Sequence, residues 1–450
     1  MKKQLSFLAA FLVAALCYSS TGQQNKNNPD REQWFMDRGF GMFIHWSMDS
    51  QLGAVISHSM AGASSDYLDS FINDLPKSFN PKKFDPEEWA IMAKLAGMEY
   101  VVFTAKHHSG FCMWDTKTTG FNVMNTPFRR DILKEVLEAF REQGIATGIY
   151  FSPEDFHYFY KNNIPVGRLQ DPRHFPAKNP DLMAFDKSQI KELLTGYGRI
   201  DILFIDGPEE GIKEYAWELQ PDIVVTRGQM QTPEQNLPGR PLPGPWEACF
   251  TMGTDWQYKP TNDPHKSGTE IINMLIETRA KGGNLLLNVG PKPNGEIQIE
   301  QQALLREIAL WNFVNHEAVH MIRPHEITRE DRIWFTKAKD SNAIYAFIPG
   351  GTEWKYGERK EFVFRTLQGT PETKASILGY ASELVEYRPG YDAGIYVNST
   401  PIGLVISAVN GHRLYTNNQW PNPVVIKIEK ASYKEPKEVR KMQSDIDGAK

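Results

Sequence analysis

Between Asp85 and Asp206 the chain runs the same unit three times: a capped helix, a glycine stop and a short, mostly apolar strand. In the first unit Asp85-Pro86-Glu87-Glu88 supplies an N-cap, a proline at the first helical position and a glutamate that closes a capping box. Trp89, Met92, Ala93 and Ala96 then recur at helical spacing, Gly97 ends the helix, and Tyr100 to Thr104 reads as a buried strand. The second unit starts at Asp131, carries Leu133, Val136, Leu137 and Phe140, stops at Gly144 and yields a strand from Ile145 to Phe151. The third runs from Asp186 through Ile190, Leu193 and Leu194 to Gly198, then a strand from Ile200 to Ile205. Gly39 to His45 reads as an earlier strand and Asp222 to Thr226 as a short later one, and a helix from Glu270 to Lys281 leads to a strand from Asn284 to Val289. Strands this apolar need cover on both faces, which a parallel sheet wrapped by helices provides. The expected fold is therefore α/β, a (β/α)8-like TIM barrel over residues 29–323.

After about Pro324 the pattern changes. Arg332 to Ala338, Ala343 to Ile348, Lys360 to Arg365, Ile395 to Val397, Leu404 to Val409 and Val424 to Ile428 are short strand candidates separated by Gly, Pro and Asn. That spacing predicts a C-terminal β-sandwich over residues 324–433. Residues 434–450 are charged and poor in large apolar groups, as expected of a tail.

A formal charge of −5 over 450 residues, without blocks of like charge, argues against a nucleic-acid or membrane-surface partner and suits a polar small-molecule substrate. Lys2 and Lys3, an apolar run from Leu5 to Leu16 and small residues at Ser20-Thr21-Gly22 read as a signal peptide over residues 1–22, which implies a secreted, periplasmic protein. The apolar run is shorter than the roughly 20 residues a membrane span needs. Cys17 follows Leu16, where a lipidation motif would place a small residue, so a lipid-anchored form is not expected. Cys112 and Cys249 have neither disulfide nor zinc spacing and read as free thiols.

The chemistry-bearing residues fall at predicted strand ends, where barrels of this kind place their active sites. Ile200 to Ile205 runs straight into Asp206-Gly207; His45-Trp46 ends the first strand; His107-His108 follow the second; Glu154 follows the third; Arg227 follows the short strand after Asp222. Glu247 stands beside Trp246 in Pro245-Trp246-Glu247, and an apolar neighbour raises a carboxyl pKa toward the value a general acid needs. Two carboxylates with ring nitrogens suit glycoside hydrolysis. Three histidines also suit a metal. Adjacent residues on a strand point to opposite faces, however, so His107 and His108 could act together only if the strand ends between them.

These motifs, in this order, resemble the family 29 glycoside hydrolases, the α-L-fucosidases. The resemblance rests on Gly41-Met42-Phe43-Ile44-His45-Trp46, Lys106-His107-His108, Ile205-Asp206-Gly207, Trp246-Glu247 and Lys281-Gly282-Gly283-Asn284 through Pro291. It implies a barrel followed by a β-sandwich, an exo-acting retaining enzyme that requires no cofactor or metal, and a fucosylated oligosaccharide or glycoconjugate as substrate. It also implies roles: Asp206 as nucleophile, Glu247 as acid/base with Glu154 as second candidate, and His45, His107, His108 and Arg227 as contacts to the sugar. Trp46 and Trp246 are the accompanying aromatic candidates. The chain departs from the family pattern at Ser57-His58-Ser59-Met60, where His58 replaces a carboxylate contact, at Phe204, where a Trp is usual, and at Phe151. Those changes keep open a fucose-like sugar such as a galactoside. A catalytically silent carbohydrate-binding protein is the reading from another class, and the Asp206 and Glu247 pair argues against it.

Overall fold

The computed structural model describes residues 26–168, 170–351, 353–411 and 421–435. The expected leader over residues 1–22 and nearly all of the charged tail lie outside the described residues. Seven strands build one parallel sheet: β1 Phe40–Ile44, β2 Tyr100–Lys106, β3 Ala146–Phe151, β4 Ile202–Ile205, β5 Val224–Val225, β6 Glu247–Thr251 and β7 Asn284–Val289. Their order is β5-β4-β3-β2-β1-β7-β6, the cyclic order of a barrel opened between β5 and β6. That opening is bridged by irregular chain. Ile205 N–H donates to the Arg227 carbonyl at 3.2 Å, Glu247 N–H to Gln231 at 3.1 Å and Cys249 N–H to Pro233 at 3.0 Å. Gln231 and Glu234 pair in parallel with Trp246 and Cys249. The segment through Thr232-Pro233 thus stands where an eighth strand would, and the proline denies it a regular ladder.

Local signals explain the helices. Asp85 accepts from Glu88 N–H and caps Pro86–Leu95; Asp131 accepts from Lys134 N–H and caps Ile132–Glu142; Ser267 and Glu270 form a capping box on Gly268–Ala280. The third helix departs from expectation. It begins at Pro180, capped by Asn179, and Asp186 is an interior residue. Asp186 is fully buried against Lys106, whose Nζ lies 3.1 Å from Asp155 and 3.3 Å from Asp186, and it accepts no helix-start N–H. Strand β6 was not expected at all, because Glu247 at its start breaks the apolar pattern.

Beyond a long helix, Ile299–Val319, come β8 Ile322–Glu330, β9 Ile333–Ala338, β10 Ile344–Ile348, β11 Arg359–Phe364, β12 Leu367–Ile377, β13 Tyr396–Thr400, β14 Gly403–Val409 and β15 Val424–Tyr433. They form antiparallel sheets of order β12-β15-β10-β9-β8 and β11-β14-β13. Phe335 of β9 meets Phe364 of β11 edge to face at 5.9 Å across the two sheets. Trp311 in the long helix donates to the Pro423 carbonyl at 2.8 Å, and Thr336 Oγ1 donates to Ala318 at 2.8 Å, so this helix is shared with the β layers. Cys112 and Cys249 are free and buried.

Candidate active site

Asp206 is the first residue after β4. Gly207 follows with φ +136°, a conformation that L side chains rarely adopt and that turns the chain away from the carboxylate. Tyr150 Oη donates to Asp206 Oδ2 at 2.7 Å and Arg227 Nη1 to Oδ1 at 3.1 Å. The same guanidinium donates from Nη2 to Glu234 Oε2 at 2.8 Å. One arginine therefore spans two carboxylates. Both face a cavity of about 390 Å³ whose lining includes Phe43, His45, His58, Phe204 and Trp256. A ligand cleft of this size, with apolar walls and a few convergent polar groups, is what small-molecule sites look like.

The tautomers follow from the partners. His45 Nδ1 sits 2.7 Å from Asn288 Oδ1, which only accepts, so Nδ1 carries the proton and Nε2 the lone pair. His107 Nδ1 accepts from His108 N–H at 2.9 Å, so Nε2 carries the proton and donates to Tyr150 Oη at 2.9 Å. His107, Tyr150 and Asp206 thus form a directed chain of hydrogen bonds ending on the carboxylate. Burial lowers His45 to about 3 and His107 well below the ordinary imidazole value, which keeps both rings neutral. Burial raises the Tyr150 phenol well above its usual value, and Asp206 adds to that, so it stays a donor. For Asp206 burial pushes upward, but His108 and the Arg227 charge outweigh it and hold the carboxyl well below its usual range. An ionised carboxylate at a barrel strand end is a nucleophile in waiting.

β2 ends at Lys106, so His107 and His108 lie past it in a turn, and the alternation of a strand does not apply to them. Their rings meet edge to face at 4.5 Å. His108 Nδ1 lies 2.5 Å from Ser152 Oγ, and its Nε2 is 3.5 Å from Asp206 Oδ2. Ligand atoms of His107, His108 and Asp206 fall within 4.8 Å of one another. A dication there would compete with the permanent Arg227 charge on Asp206 and would displace the His107 proton from Tyr150.

Residues 12–317 match the family described as Alpha-L-fucosidase. The chain belongs to the α-L-fucosidase family. It is 27% identical over 440 residues to the plasma α-L-fucosidase of Rattus norvegicus, with 88% of this chain and 90% of that one covered. Among solved structures it is similar to α-L-fucosidase isoenzyme 1 from Paenibacillus thiaminolyticus, at 26% identity and a TM-score of 0.68 over 90% of this chain and 99% of the other. A family 29 α-L-fucosidase from Bacteroides thetaiotaomicron, trapped as a covalent intermediate with 2-fluoro-fucosyl fluoride, is 25% identical with a TM-score of 0.69 over 91% and 98% of the two chains.

Within this fucosidase fold three expected site residues lie elsewhere. Glu247 opens β6 and pairs in register with Asn284 at the start of β7, so it occupies the N-terminal end of the barrel, away from the strand ends that carry Asp206. It has no exposed surface and accepts from Tyr100 Oη at 2.6 Å. Burial raises its pKa to about 7, the property expected of an acid, but no substrate reaches it there. Trp246 is buried beside it, where a Cβ on Gly283 would lie 2.4 Å from the indole. Trp46 is fully buried against Phe79, Phe84 and Trp89 behind β1. All three are structural.

His45, His107, His58 and Arg227 line the fucosidase cleft, His58 at its exposed rim with Nδ1 2.6 Å from Ser57 Oγ. Glu154 lies just beside it, nearly buried, 3.1 Å from Arg168 and 3.9 Å from His108. Sequence reasoning missed Tyr150, Trp256, Arg168 and above all Glu234. The first sits inside an apolar strand pattern, and Glu234 sits in Thr232-Pro233-Glu234-Gln235, a stretch with no strand or helix signal.

Proposed function

We propose that this protein is an exo-acting α-L-fucosidase that removes terminal α-L-fucosyl residues by retaining double displacement, with Asp206 as nucleophile and Glu234 as acid/base. The observation that carries the reading is the single Arg227 guanidinium joining an ionised, strand-end Asp206 to the partly exposed Glu234 across one small cleft. Retention needs two carboxyls about 5–5.5 Å apart, one to attack the anomeric carbon and one to protonate the leaving oxygen. The first step uses Glu234 in its protonated form: Asp206 Oδ attacks, the glycosidic C–O bond breaks, and the Glu234 proton goes to the departing oxygen. In the second, Glu234 takes a proton from water, whose oxygen displaces Asp206 and restores both groups.

The other residues orient the sugar. His45 Nε2 offers an acceptor to a hydroxyl, while the Tyr150 hydroxyl, fixed by His107, holds Asp206 in line. As charge leaves Asp206 on attack, Arg227 keeps Glu234 in place. Phe43, Phe204 and Trp256 give the cleft an apolar wall that suits the methyl group of a 6-deoxy sugar better than the hydroxymethyl of a galactoside. The covalent intermediate of the Bacteroides relative supports the two-step course. Secretion through the expected leader remains part of the proposal. It rests on Lys2, Lys3 and the apolar run from Leu5 to Leu16.

The test is turnover of an aryl α-L-fucoside by the wild type and by Asp206→Asn. The variant is expected to fold and to lose about 10³-fold or more in kcat, with azide restoring part of it. Binding without turnover by folded wild type would return the carbohydrate-binding reading. Turnover of an aryl galactoside above that of the fucoside would redirect the substrate.

A further inference from the structure

At the opposite end of the barrel the described residues gather a second group of metal-type donors. Ligand atoms of Glu99, His316 and His320 lie within 4.8 Å of one another. His316 stands in the last turn of the helix Ile299–Val319 and His320 is its C-cap. The i, i+4 spacing stacks the two rings with centroids 4.1 Å apart. Glu99 immediately precedes β2, and its Oε1 is 3.5 Å from His316 Nε2. Its other oxygen is held by Arg38 at 3.1 Å.

The deciding observation is on His320. Its Nδ1 is 2.8 Å from the Arg38 carbonyl oxygen; a carbonyl only accepts, so Nδ1 carries the proton and Nε2 the lone pair. The residue is 4% exposed, and Nε2 is buried without a hydrogen-bond partner. A buried lone pair left unpaired is destabilising unless something fills it. A histidine whose other nitrogen is fixed on a backbone carbonyl is also the usual outer-shell arrangement of a metal ligand. The helix C-terminus adds a favourable negative dipole.

We propose that Glu99, His316 and His320 bind one first-row divalent cation such as Zn²⁺, through Glu99 Oε1 and the two imidazoles. Two nitrogen donors and a single carboxylate select this class over Mg²⁺ or Ca²⁺, which want oxygen cages. His316 is half-exposed, so water completes a tetrahedron on its side. Arg38 on the second Glu99 oxygen offsets part of the carboxylate charge, which weakens the expected affinity relative to an unpaired glutamate. The ion would tie the start of β2 to the end of the helix that leads into β8. Its effect is on stability, because a ligand that binds the folded state alone raises the unfolding midpoint.

The experiment uses untagged, chelator-stripped full-length protein, titrated calorimetrically with Zn²⁺ and followed by Co²⁺ absorption. Wild type is expected to take up one equivalent, to give the intense visible bands of tetrahedral Co²⁺ and to gain thermal stability with Zn²⁺. His316→Ala, at a half-exposed position, is expected to bind at least about 100-fold more weakly and to lose both signatures. Glu99→Gln should weaken binding in the same direction. Absence of stoichiometric binding by wild type, or equal binding by His316→Ala, would overturn the assignment.

Discussion

Replacing Glu247 by glutamine separates a buried structural carboxyl from a catalytic one, and the size of its effect can be worked from the fold. The carboxyl has an ordinary value of 4.5 and is raised by burial to about 7 in the folded protein. Between those values the folded state holds a proton that the unfolded state has released. Stability therefore falls as pH rises from about 4.5 and levels off above about 7. At about 1.4 kcal/mol per pH unit the loss over that window is about 3 kcal/mol. Glutamine keeps an oxygen to accept from Tyr100 and does not titrate. Urea unfolding followed by tryptophan fluorescence at stepped pH is expected to show the wild type losing about 3 kcal/mol relative to Glu247→Gln between pH 4.5 and 7. Subtracting one curve from the other cancels buried groups common to both, such as Asp186 and Asp49, whose values of about 8 and about 6 also reflect burial. Turnover of an aryl fucoside by folded variant should stay within about threefold of wild type, since no transition-state contact is lost. Parallel stability curves would refute the burial argument. A large loss of turnover that azide rescues would place Glu247 in the chemistry after all.

Glu234→Ala is expected to lose about 10²–10⁴-fold on natural linkages while keeping most turnover of fucosyl fluoride, whose leaving group needs no proton. Azide should then intercept the stranded β-linked intermediate as α-fucosyl azide, and the same pattern from Glu154→Ala would move the role there. Lys106→Met leaves the buried Asp155 without its cation and Asp186 without its hydrogen-bond donor, and should cost about 3–5 kcal/mol in urea unfolding. A change below about 1 kcal/mol would show that Asp155 and Asp186 do not depend on it.

Much of this was legible in the sequence because the barrel writes its period plainly. Asp85 and Asp131 sit at helix starts with the partners their side chains need, and the strands between are apolar enough to require cover on both faces. Asp206, His45 and Arg227 were readable because each directly follows such a strand. The pair His107-His108 depended on where β2 stops, which period alone does not fix. Glu247 misled for a physical reason: a carboxyl beside a tryptophan has a raised pKa in an active site or in a core, and composition cannot tell the two apart. What distinguishes them is the end of the barrel. That was hidden, because β6 starts on a charged residue. Glu234 was missed because the chain that carries it runs as an irregular eighth position, held by backbone bonds to β6 that no side-chain pattern announces. Asp186 looked like a cap because acidic residues usually cap; here the buried Lys106 holds it inside a helix.

The central claim is that Asp206 becomes covalently attached to the sugar. Incubating the protein with 2-deoxy-2-fluoro-fucosyl fluoride, which slows breakdown of the ester, and measuring intact mass followed by peptide mapping tests it directly. One fluorofucosyl group per chain, on the peptide containing Asp206 and absent in Asp206→Asn, is the predicted result. An adduct on any other residue, or none while an aryl fucoside is still turned over, would contradict it.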